Sequence, residues 1–215
     1  MIQRLSQNPV MLKMYGQIIS DQEKRGFVEK VTEADNGLEK AHYIPRHPVK
    51  KDSSTTPIRI VYDCSCRQTH NSPSLNDCLM GTPPILNDIT KILVRFRMNP
   101  VVMVTDIEKA FLHIGLHEND RDMTRFLWLS DPEDPKSELT TYRFRSVLFG
   151  ATCSLFILTA VILKHLQSNG TETAEMLERD IYVDNILTSV INEGVAINYF
   201  KEARQLMMEA ILDLK

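Results

Sequence analysis

The chain has 215 residues, 43% of them hydrophobic and 25% charged, and its formal net charge is −3. This length suits one sizeable domain or two small lobes, and the apolar and charged fractions are ordinary for a soluble globular protein. A net charge of −3 neither indicates nor excludes nucleic-acid binding, because an acidic metal site would offset a basic groove in the total.

The first half of the chain is predicted to combine helices with short strands and loops. The expected elements are a helix over residues 3–30, a turn at Asp35-Asn36-Gly37, an extended segment over 43–51, a strand over 58–62, a loop over 71–84 and a helix over 87–98. Apolar residues at helical spacing indicate the two helices, and Asn87 or Asp88 can cap the second one. Pro45 and Pro48 disfavour helix in the extended segment.

The second half is expected to form one unit in which a sheet carries helices on one side. Its predicted elements are strands over 101–105, 125–129 and 140–149, a turn over 131–135, helices over 151–167, 172–178 and 193–212, and a hairpin over 181–191. Apolar, β-branched runs bounded by turn residues indicate the strands, and apolar residues on one face indicate the last helix.

Charged residues are distributed unevenly along the chain. Residues 42–70 contain five cations and two acids, whereas residues 171–185 contain one cation and five acids. A basic N-terminal stretch followed later in the sequence by an acidic stretch fits a polymerase-like cleft. Ordinary solvated charge explains the same pattern equally well.

Neither the cysteines nor the histidines form a recognisable metal motif. Cys64 and Cys66 alternate along a predicted strand end, and no second pair follows at zinc spacing, so we interpret all four cysteines as reduced thiols of an intracellular protein. His113 and His117 lie four apart without a Glu-x-x-His pattern, which favours surface or packing roles. We also expect no signal peptide and no transmembrane segment, since residues 155–166 are too short and too interrupted by polar residues to span a membrane.

Two acidic positions at strand ends are the most informative feature. Asp106 follows the β-branched run 101–105, and Tyr182-Val183-Asp184-Asn185 lies between two short apolar runs, which indicates a strand, an acidic turn and a second strand. Carboxylates at strand ends suit Mg²⁺, which takes hard oxygen ligands and often needs only one or two protein carboxylates. An isolated aspartate at a strand end is more often a turn or cap residue.

Six blocks in order carry a resemblance to a known family. They are Tyr43-Ile44-Pro45-Arg46-His47-Pro48-Val49, Arg59-Ile60-Val61-Tyr62-Asp63, Ser74-Leu75-Asn76-Asp77-Cys78-Leu79 with Gly81-Thr82-Pro83, Thr105-Asp106-Ile107-Glu108-Lys109-Ala110-Phe111, Phe149-Gly150-Ala151-Thr152-Cys153-Ser154 and Tyr182-Val183-Asp184-Asn185. Together they resemble the reverse transcriptase of BEL/Pao-type retrotransposons, and the last three blocks are similar to motifs A, B and C. The resemblance spans nearly the whole chain.

The resemblance implies an α+β polymerase right hand with fingers and a palm, the palm having a ferredoxin-like sheet with helices on one face and the thumb being absent. Residues 1–98 would form an N-terminal helical segment and a fingers-like region, and residues 99–215 a palm-like region truncated near motif D. Thumb, RNase H and integrase segments would be expected in a full polyprotein. The implied activity is RNA-directed DNA synthesis on an RNA or DNA template with a primer, using deoxynucleoside triphosphates, without a membrane, in the cytoplasm or in a retroelement particle.

The resemblance also assigns the catalytic residues as Asp106, Asp184 and Asn185, with Tyr182 as the aromatic residue of motif C. Asp106 and Asp184 would bind Mg²⁺ or Mn²⁺, because two metal ions can serve the attacking and leaving oxygens of phosphoryl transfer. Asn185 stands where most reverse transcriptases have a second aspartate. It keeps an acceptor oxygen but loses the charge, so we expect reduced or ion-dependent activity.

Three further residues are implied to contact the incoming nucleotide. Phe111 would exclude a ribose 2′-hydroxyl by steric clash, Arg59 would bind phosphate oxygens, and Gly150 would let the backbone approach the base pair. Each also has an ordinary interpretation, as a core phenylalanine, a solvated strand arginine and a turn glycine.

Two alternative functions stay open. A decayed or co-opted reverse-transcriptase-like domain that does not synthesise DNA is favoured by Asn185, by the missing thumb and by Leu155, which replaces the proline usual after the motif B serine. A stand-alone two-metal nuclease shares the carboxylates but leaves the motifs around Phe111 and Gly150 unexplained.

Overall fold

The computed structural model describes residues 1–32, 40–50, 58–132, 134–210, 212 and 214. It is a mixed α+β structure with small antiparallel sheets, which confirms the predicted fold class at that level. Among the described residues no helix is long and apolar enough to cross a membrane. The predicted turn at Asp35-Asn36-Gly37, the end of the extended segment at Lys51 and position 133 of the predicted turn lie outside the described residues.

The described residues form both helices and short strands. In order they are α1 (Ile2–Leu5), α2 (Pro9–Lys24), β1 (Val28–Lys30), β2 (Arg46–Lys50), β3 (Ile58–Tyr62), α3 (Leu75–Cys78), α4 (Ile89–Arg95), β4 (Val101–Asp106), a 3₁₀ helix (Ala110–His113), α5 (Glu118–Arg121), a second 3₁₀ helix (Asp122–Thr124), β5 (Arg125–Leu129), β6 (Leu139–Phe144), α6 (Ser154–Asn169), α7 (Glu172–Asp180), β7 (Ile181–Tyr182), β8 (Asn185–Val190) and α8 (Glu193–Glu209).

The chain divides into two compact units, each built from two separate stretches of sequence. Unit 1 comprises Met1–Met80 and Gly115–Thr152, and unit 2 comprises Gly81–Ile114 and Cys153–Lys215. Residues 115–152, which fall in the predicted palm-like region, therefore belong to unit 1. The functional division into a fingers-like region ending at residue 98 and a palm-like region beginning at residue 99 stays a prediction.

Unit 1 contains a three-stranded sheet with the strand order β1-β6-β5 and a separate β2–β3 hairpin. The predicted strand over 140–149 is too long, because β6 ends at Phe144, where its pairing with β1 ends at Val28. The predicted loop over 71–84 contains the short helix α3. Ser74 caps this helix through a reciprocal pair of hydrogen bonds with Asp77, a capping box that the loop interpretation overlooked.

The first long helix is shorter than predicted. The Asn8 side chain accepts a hydrogen bond from the N–H of Met11 and caps α2, and Pro9 occupies its first turn. The prediction of a helix through residue 30 is wrong, because Gly26 has a φ of 74°, in the left-handed region, and turns the chain into β1.

Strand β2 carries a buried arginine at the centre of the aromatic core of unit 1. The Arg46 guanidinium lies 4.8 Å from the centroid of the Phe126 ring and 5.1 Å from that of Trp128, and it donates a hydrogen bond to the backbone oxygen of Leu127. Burial lowers the pKa of this guanidinium. Aromatic faces attract a cation, so the three rings around Arg46, which include Tyr15, offset part of its loss of hydration.

Unit 2 contains a three-stranded antiparallel sheet with the strand order β4-β8-β7, together with α4, α6, α7 and α8. The predicted helices over 87–98, 151–167, 172–178 and 193–212 are all present with shifted ends. Asp88, one of the two cap candidates in the sequence, caps α4 by accepting hydrogen bonds from the N–H groups of Thr90 and Lys91. Asn192 caps α8 in the same way, through the N–H of Val195.

Candidate functional site

The sheet of unit 2 brings three of the predicted site residues next to one another. Asp106 is paired with Asn185 across the β4–β8 ladder, and Asn185 is paired with Tyr182 across the β7–β8 ladder. Directly opposite residues of an antiparallel pair point to the same face of the sheet. The three side chains therefore form a row across the three strands, at the end of β4.

The turn that joins β7 to β8 contains Val183 and Asp184 alone. Its position against β4 is secured by one backbone hydrogen bond, in which the N–H of Ile107 donates to the oxygen of Asp184 at 2.8 Å. Asp184 is consequently held beside the end of the strand that presents Asp106. The strand–turn–strand pattern predicted from the sequence is confirmed, and the register that aligns it with β4 is new information.

Val183 has a φ of 62°, in the left-handed region. A β-branched side chain rarely adopts this conformation, and such strain persists only where the surrounding structure imposes it. A two-residue hairpin turn requires a positive φ at its first residue, which explains why Val183 adopts this conformation.

Asp184 and Asn185 interact directly. The Nδ2 atom of Asn185 donates a hydrogen bond to Oδ1 of Asp184 at 2.8 Å. The Asn185 and Asp106 side chains are exposed, and Asp184 is half-buried, so all three are open to solvent. One carboxylate oxygen of Asp184 is thus partly engaged by the amide, which an aspartate at position 185 would not do.

The Asp106, Asp184 and Asn185 side chains would suit a divalent cation that takes its remaining ligands from water and substrate. Among the described residues no group of three or more His, Cys, Asp or Glu side chains could hold a metal ion by itself. Asp106 and Asp184 supply two carboxylates, and Asn185 adds an amide oxygen if its side chain rotates. Mg²⁺ is commonly held by one or two protein carboxylates, with water and substrate phosphates completing its octahedron.

Phe111 lies in the 3₁₀ helix that follows β4 in unit 2. Lys109, immediately before this helix, has a φ of 51°, which turns the chain sharply after Asp106. The Phe111 side chain is buried, with 8% of its surface exposed. This burial fits a core phenylalanine, and the predicted role as a steric barrier to ribose stays a prediction.

Arg59 and Gly150 belong to unit 1 and lie in one neighbourhood there. The Arg59 guanidinium on β3 lies 5.3 Å from the centroid of the Phe149 ring, and Phe149 is 63% exposed. Gly150 has a φ of 108°, and a Cβ atom at this position would lie 3.4 Å from the backbone oxygen of Tyr62 on the same strand. The left-handed backbone explains glycine here, whereas a contact of 3.4 Å would itself accommodate a Cβ atom.

Asn76 is a residue whose importance the sequence interpretation missed. Its Nδ2 atom donates to the oxygen of Gly150 at 3.1 Å, and its Oδ1 atom accepts from the N–H of Thr152 at 2.8 Å. It therefore holds the backbone on both sides of residue 151. The signal was available in the block Ser74-Leu75-Asn76, but nothing local showed that its partner lies 74 residues away.

Asp180 is the second missed residue, and it supports the Asp184 turn in unit 2. Its side chain is fully buried and accepts hydrogen bonds from Arg95 at 2.9 Å and from the Thr188 hydroxyl at 2.7 Å. Arg179 also donates to both of its oxygens. Burial raises the pKa of this carboxyl, but the hydrogen bonds from Arg179, Thr188 and Arg95 outweigh burial and leave its pKa below the ordinary value.

None of the four cysteines forms a disulfide: Cys64 is buried, Cys66 and Cys153 are half-buried, and Cys78 is exposed. Comparison with known proteins adds no family assignment, because no protein-family model and no curated protein matches this chain.

Proposed function

We propose that this chain is a reverse-transcriptase-like domain of BEL/Pao type, with fingers and a palm, that catalyses template-directed nucleotidyl transfer with Mg²⁺ or Mn²⁺. The observation that carries the proposal is the strand register of unit 2, which aligns Asp106 with Asn185 and holds Asp184 beside them. These are the positions at which motifs A and C of the family would meet. If the same short motifs occurred by chance in an unrelated protein, we would not expect them to be aligned in one sheet.

The proposed reaction is the in-line attack of a primer hydroxyl on the α-phosphate of a deoxynucleoside triphosphate. This reaction needs positioning and charge neutralisation more than covalent chemistry. Divalent ions, when bound, would supply charge neutralisation at the attacking and leaving oxygens. Asp106 and Asp184 are the residues that would hold them, and their carboxylate oxygens are hard ligands suited to that task.

The family resemblance assigns nucleotide contacts to three other predicted residues. Arg59 has a fixed positive charge and a planar donor array suited to phosphate oxygens. The backbone at Gly150 lacks a side chain, so a base pair could lie against it. Phe111, directly after the Asp106 strand, would limit the space for a ribose 2′-hydroxyl.

The alternative function is a decayed or co-opted domain that does not synthesise DNA. The contact between Asn185 and Asp184 favours it, because the amide has replaced a negative charge and also engages an oxygen that a metal ion would need. Weaker metal binding is the expected consequence, since two opposite charges about 4 Å apart at an effective dielectric of about 20 attract by roughly 4 kcal/mol. A two-metal nuclease is a further alternative, which cleavage without synthesis would reveal.

Primer extension on an RNA template tests the proposal. The purified chain, Asp184→Ala and Asn185→Asp would be compared in Mg²⁺ and in Mn²⁺, with Asp120→Ala as the control that removes an exposed carboxylate from unit 1. We expect extension by the native chain, equal extension by the control, a fall to background for Asp184→Ala and an increase for Asn185→Asp.

The other possible outcomes distinguish the proposed function from its alternatives. Extension that survives in Asp184→Ala contradicts the metal-ligand assignment. No extension by the native chain together with extension by Asn185→Asp indicates a site disabled by one lost charge. No extension by any variant favours the alternative function. Degradation of the template or primer without extension indicates a nuclease.

A further inference from the structure

Asp180 connects the two strands that carry the Asp184 turn. It is the last residue of α7 and directly precedes β7, so its backbone leads into the first strand. Its side chain accepts the hydroxyl hydrogen of Thr188, which lies on β8, the second strand. One buried carboxylate therefore joins the beginning of the hairpin to its returning strand.

Residues in and beside α4 donate side-chain hydrogen bonds to Asp180 and to both strands of the same hairpin. The Arg95 side chain donates to Asp180 at 2.9 Å. Asn87 donates to the oxygen of Ile181 at 2.9 Å, and Asn99 donates to the oxygen of Ser189 at 3.1 Å. Both hairpin strands are thus bonded to residues before, within and after α4, all of them in unit 2.

This bracing explains how an unfavourable turn is maintained. Val183 adopts the left-handed region in spite of its β-branched side chain, and such a residue relaxes unless its neighbours over-determine its conformation. The turn itself contains only two residues, so the constraint must come from the strands. The Asp180–Thr188 hydrogen bond is a buried side-chain contact that adds to the short β7–β8 backbone ladder in fixing the two strands relative to each other.

We propose that Asp180 is a positioning residue that, through Thr188 and Arg95, holds the Val183–Asp184 turn so that Asp184 faces the end of β4. Removing its hydrogen bonds lets the turn relax and moves the Asp184 carboxylate away from Asp106. The structural part of this inference stands on contacts alone, and only its consequence for metal binding rests on the proposed function.

The chain offers a matched pair of substitutions for the test. Thr188→Val removes the hydroxyl that donates to Asp180 at 2.7 Å, and Thr173→Val removes a hydroxyl that donates to Glu202 at 2.6 Å. Both threonines are buried in unit 2 and both changes keep the side-chain shape, but Thr173 joins α7 to α8 rather than to the hairpin. Thr188→Ser keeps the hydroxyl and serves as the rescue variant.

The first readout is amide hydrogen exchange at Ile107, because its N–H donates to the backbone oxygen of Asp184. We expect this amide to exchange about tenfold faster in Thr188→Val than in Thr173→Val at matched global stability, because a charged hydrogen bond that fixes the turn is lost. Thr188→Ser should restore slow exchange. Equal exchange rates in the two valine variants would overturn the inference.

The second readout is the broadening of the Ile107 and Asn185 amide signals by Mn²⁺. We expect broadening in the native chain and in Thr173→Val at Mn²⁺ concentrations that leave Thr188→Val unaffected. If the native chain shows no broadening, the metal role in the proposed function fails, and the exchange rates still decide the role of Asp180. Equal broadening in all variants shows that Asp180 does not position the metal ligand.

Discussion

Val183 is the residue at which local preference and observed conformation disagree most clearly. Its φ of 62° places a β-branched side chain in the region favoured by Gly, Asn and Asp. The residue lies between Tyr182 and Asp184, so relief of its strain can be measured without changing either of the predicted site side chains. The turn is therefore a place where stability and function can be varied separately.

We expect Val183→Asn to raise the free energy of unfolding by about 1 kcal/mol, because Asn tolerates the left-handed conformation with less strain. Urea titration followed by circular dichroism measures this change. Val102→Asn is the matched control at a 52% exposed strand position, where the same substitution should be neutral or destabilising because Asn is a poor strand former. A loss of stability in Val183→Asn comparable to that in the control would contradict the strain at this turn.

At the scale of secondary-structure elements, the buried carboxyl of Asp180 makes the stability of the contact between α7 and β8 depend on pH. The hydrogen bonds from Arg179, Thr188 and Arg95 lower its pKa in spite of the opposing effect of burial. A carboxyl whose pKa is lower in the folded chain contributes stability above its unfolded pKa, which is about 3.9 for aspartate. That contribution is lost as the pH falls through the lower folded value.

We therefore expect the stability difference between the native chain and Asp180→Asn to be constant from neutral pH down to about pH 4 and to shrink below it. Urea titrations at a series of pH values measure the difference. Asp120→Asn provides the control, because it makes the same substitution at an exposed position. A difference that grows as the pH falls would mean that the sign of the effect is wrong.

The elements near the site show which features a sequence can predict. The strand before Asp106 and the Asp184 hairpin were predicted correctly, because β-branched runs and a short polar turn are local signals. The end of α2 was missed because a single glycine, Gly26, decides it by its φ. The ends of helices and strands depend on such contacts, and hydrophobic periodicity does not report them.

The spatial arrangement of the candidate site residues could be predicted only in part, because it depends on strand register and tertiary packing. Asp106 and Asp184 were chosen from their motifs, and the structure pairs Asp106 with Asn185 in the β4–β8 register, with Asp184 in the turn next to it. No local property of either strand specifies that register. Asp180 was not singled out, because its partners Arg95 and Thr188 become visible only when α4, α7 and β8 pack together. A buried polar network is a tertiary property, and a sequence shows only its members.

At the scale of the whole molecule, the order in which the chain enters and leaves the two units decides whether it can be divided into fragments that fold. The chain passes from unit 1 to unit 2 at residue 80, returns at residue 114 and leaves again at residue 152. Neither unit is therefore continuous in sequence. In unit 1 the strand β1 pairs with β6, and Val28 lies opposite Phe144. In unit 2 the Arg95 side chain from α4 is bonded to Asp180 at the end of α7.

A cut between residues 98 and 99, the boundary suggested by the functional interpretation, should therefore abolish the folding of both fragments. The fragment 99–215 would retain β5 and β6 without β1, and its buried Asp180 carboxylate would keep Arg179 and Thr188 but lose the ion pair with Arg95, which is destabilising for a buried charge. We expect neither fragment to show a cooperative urea transition, whereas the intact chain shows one and an equimolar mixture refolded together regains part of it. Circular dichroism across the titration measures all four samples. A cooperative transition in fragment 99–215 by itself would show that the predicted palm-like region folds independently and that its contacts with residues 1–98 are dispensable.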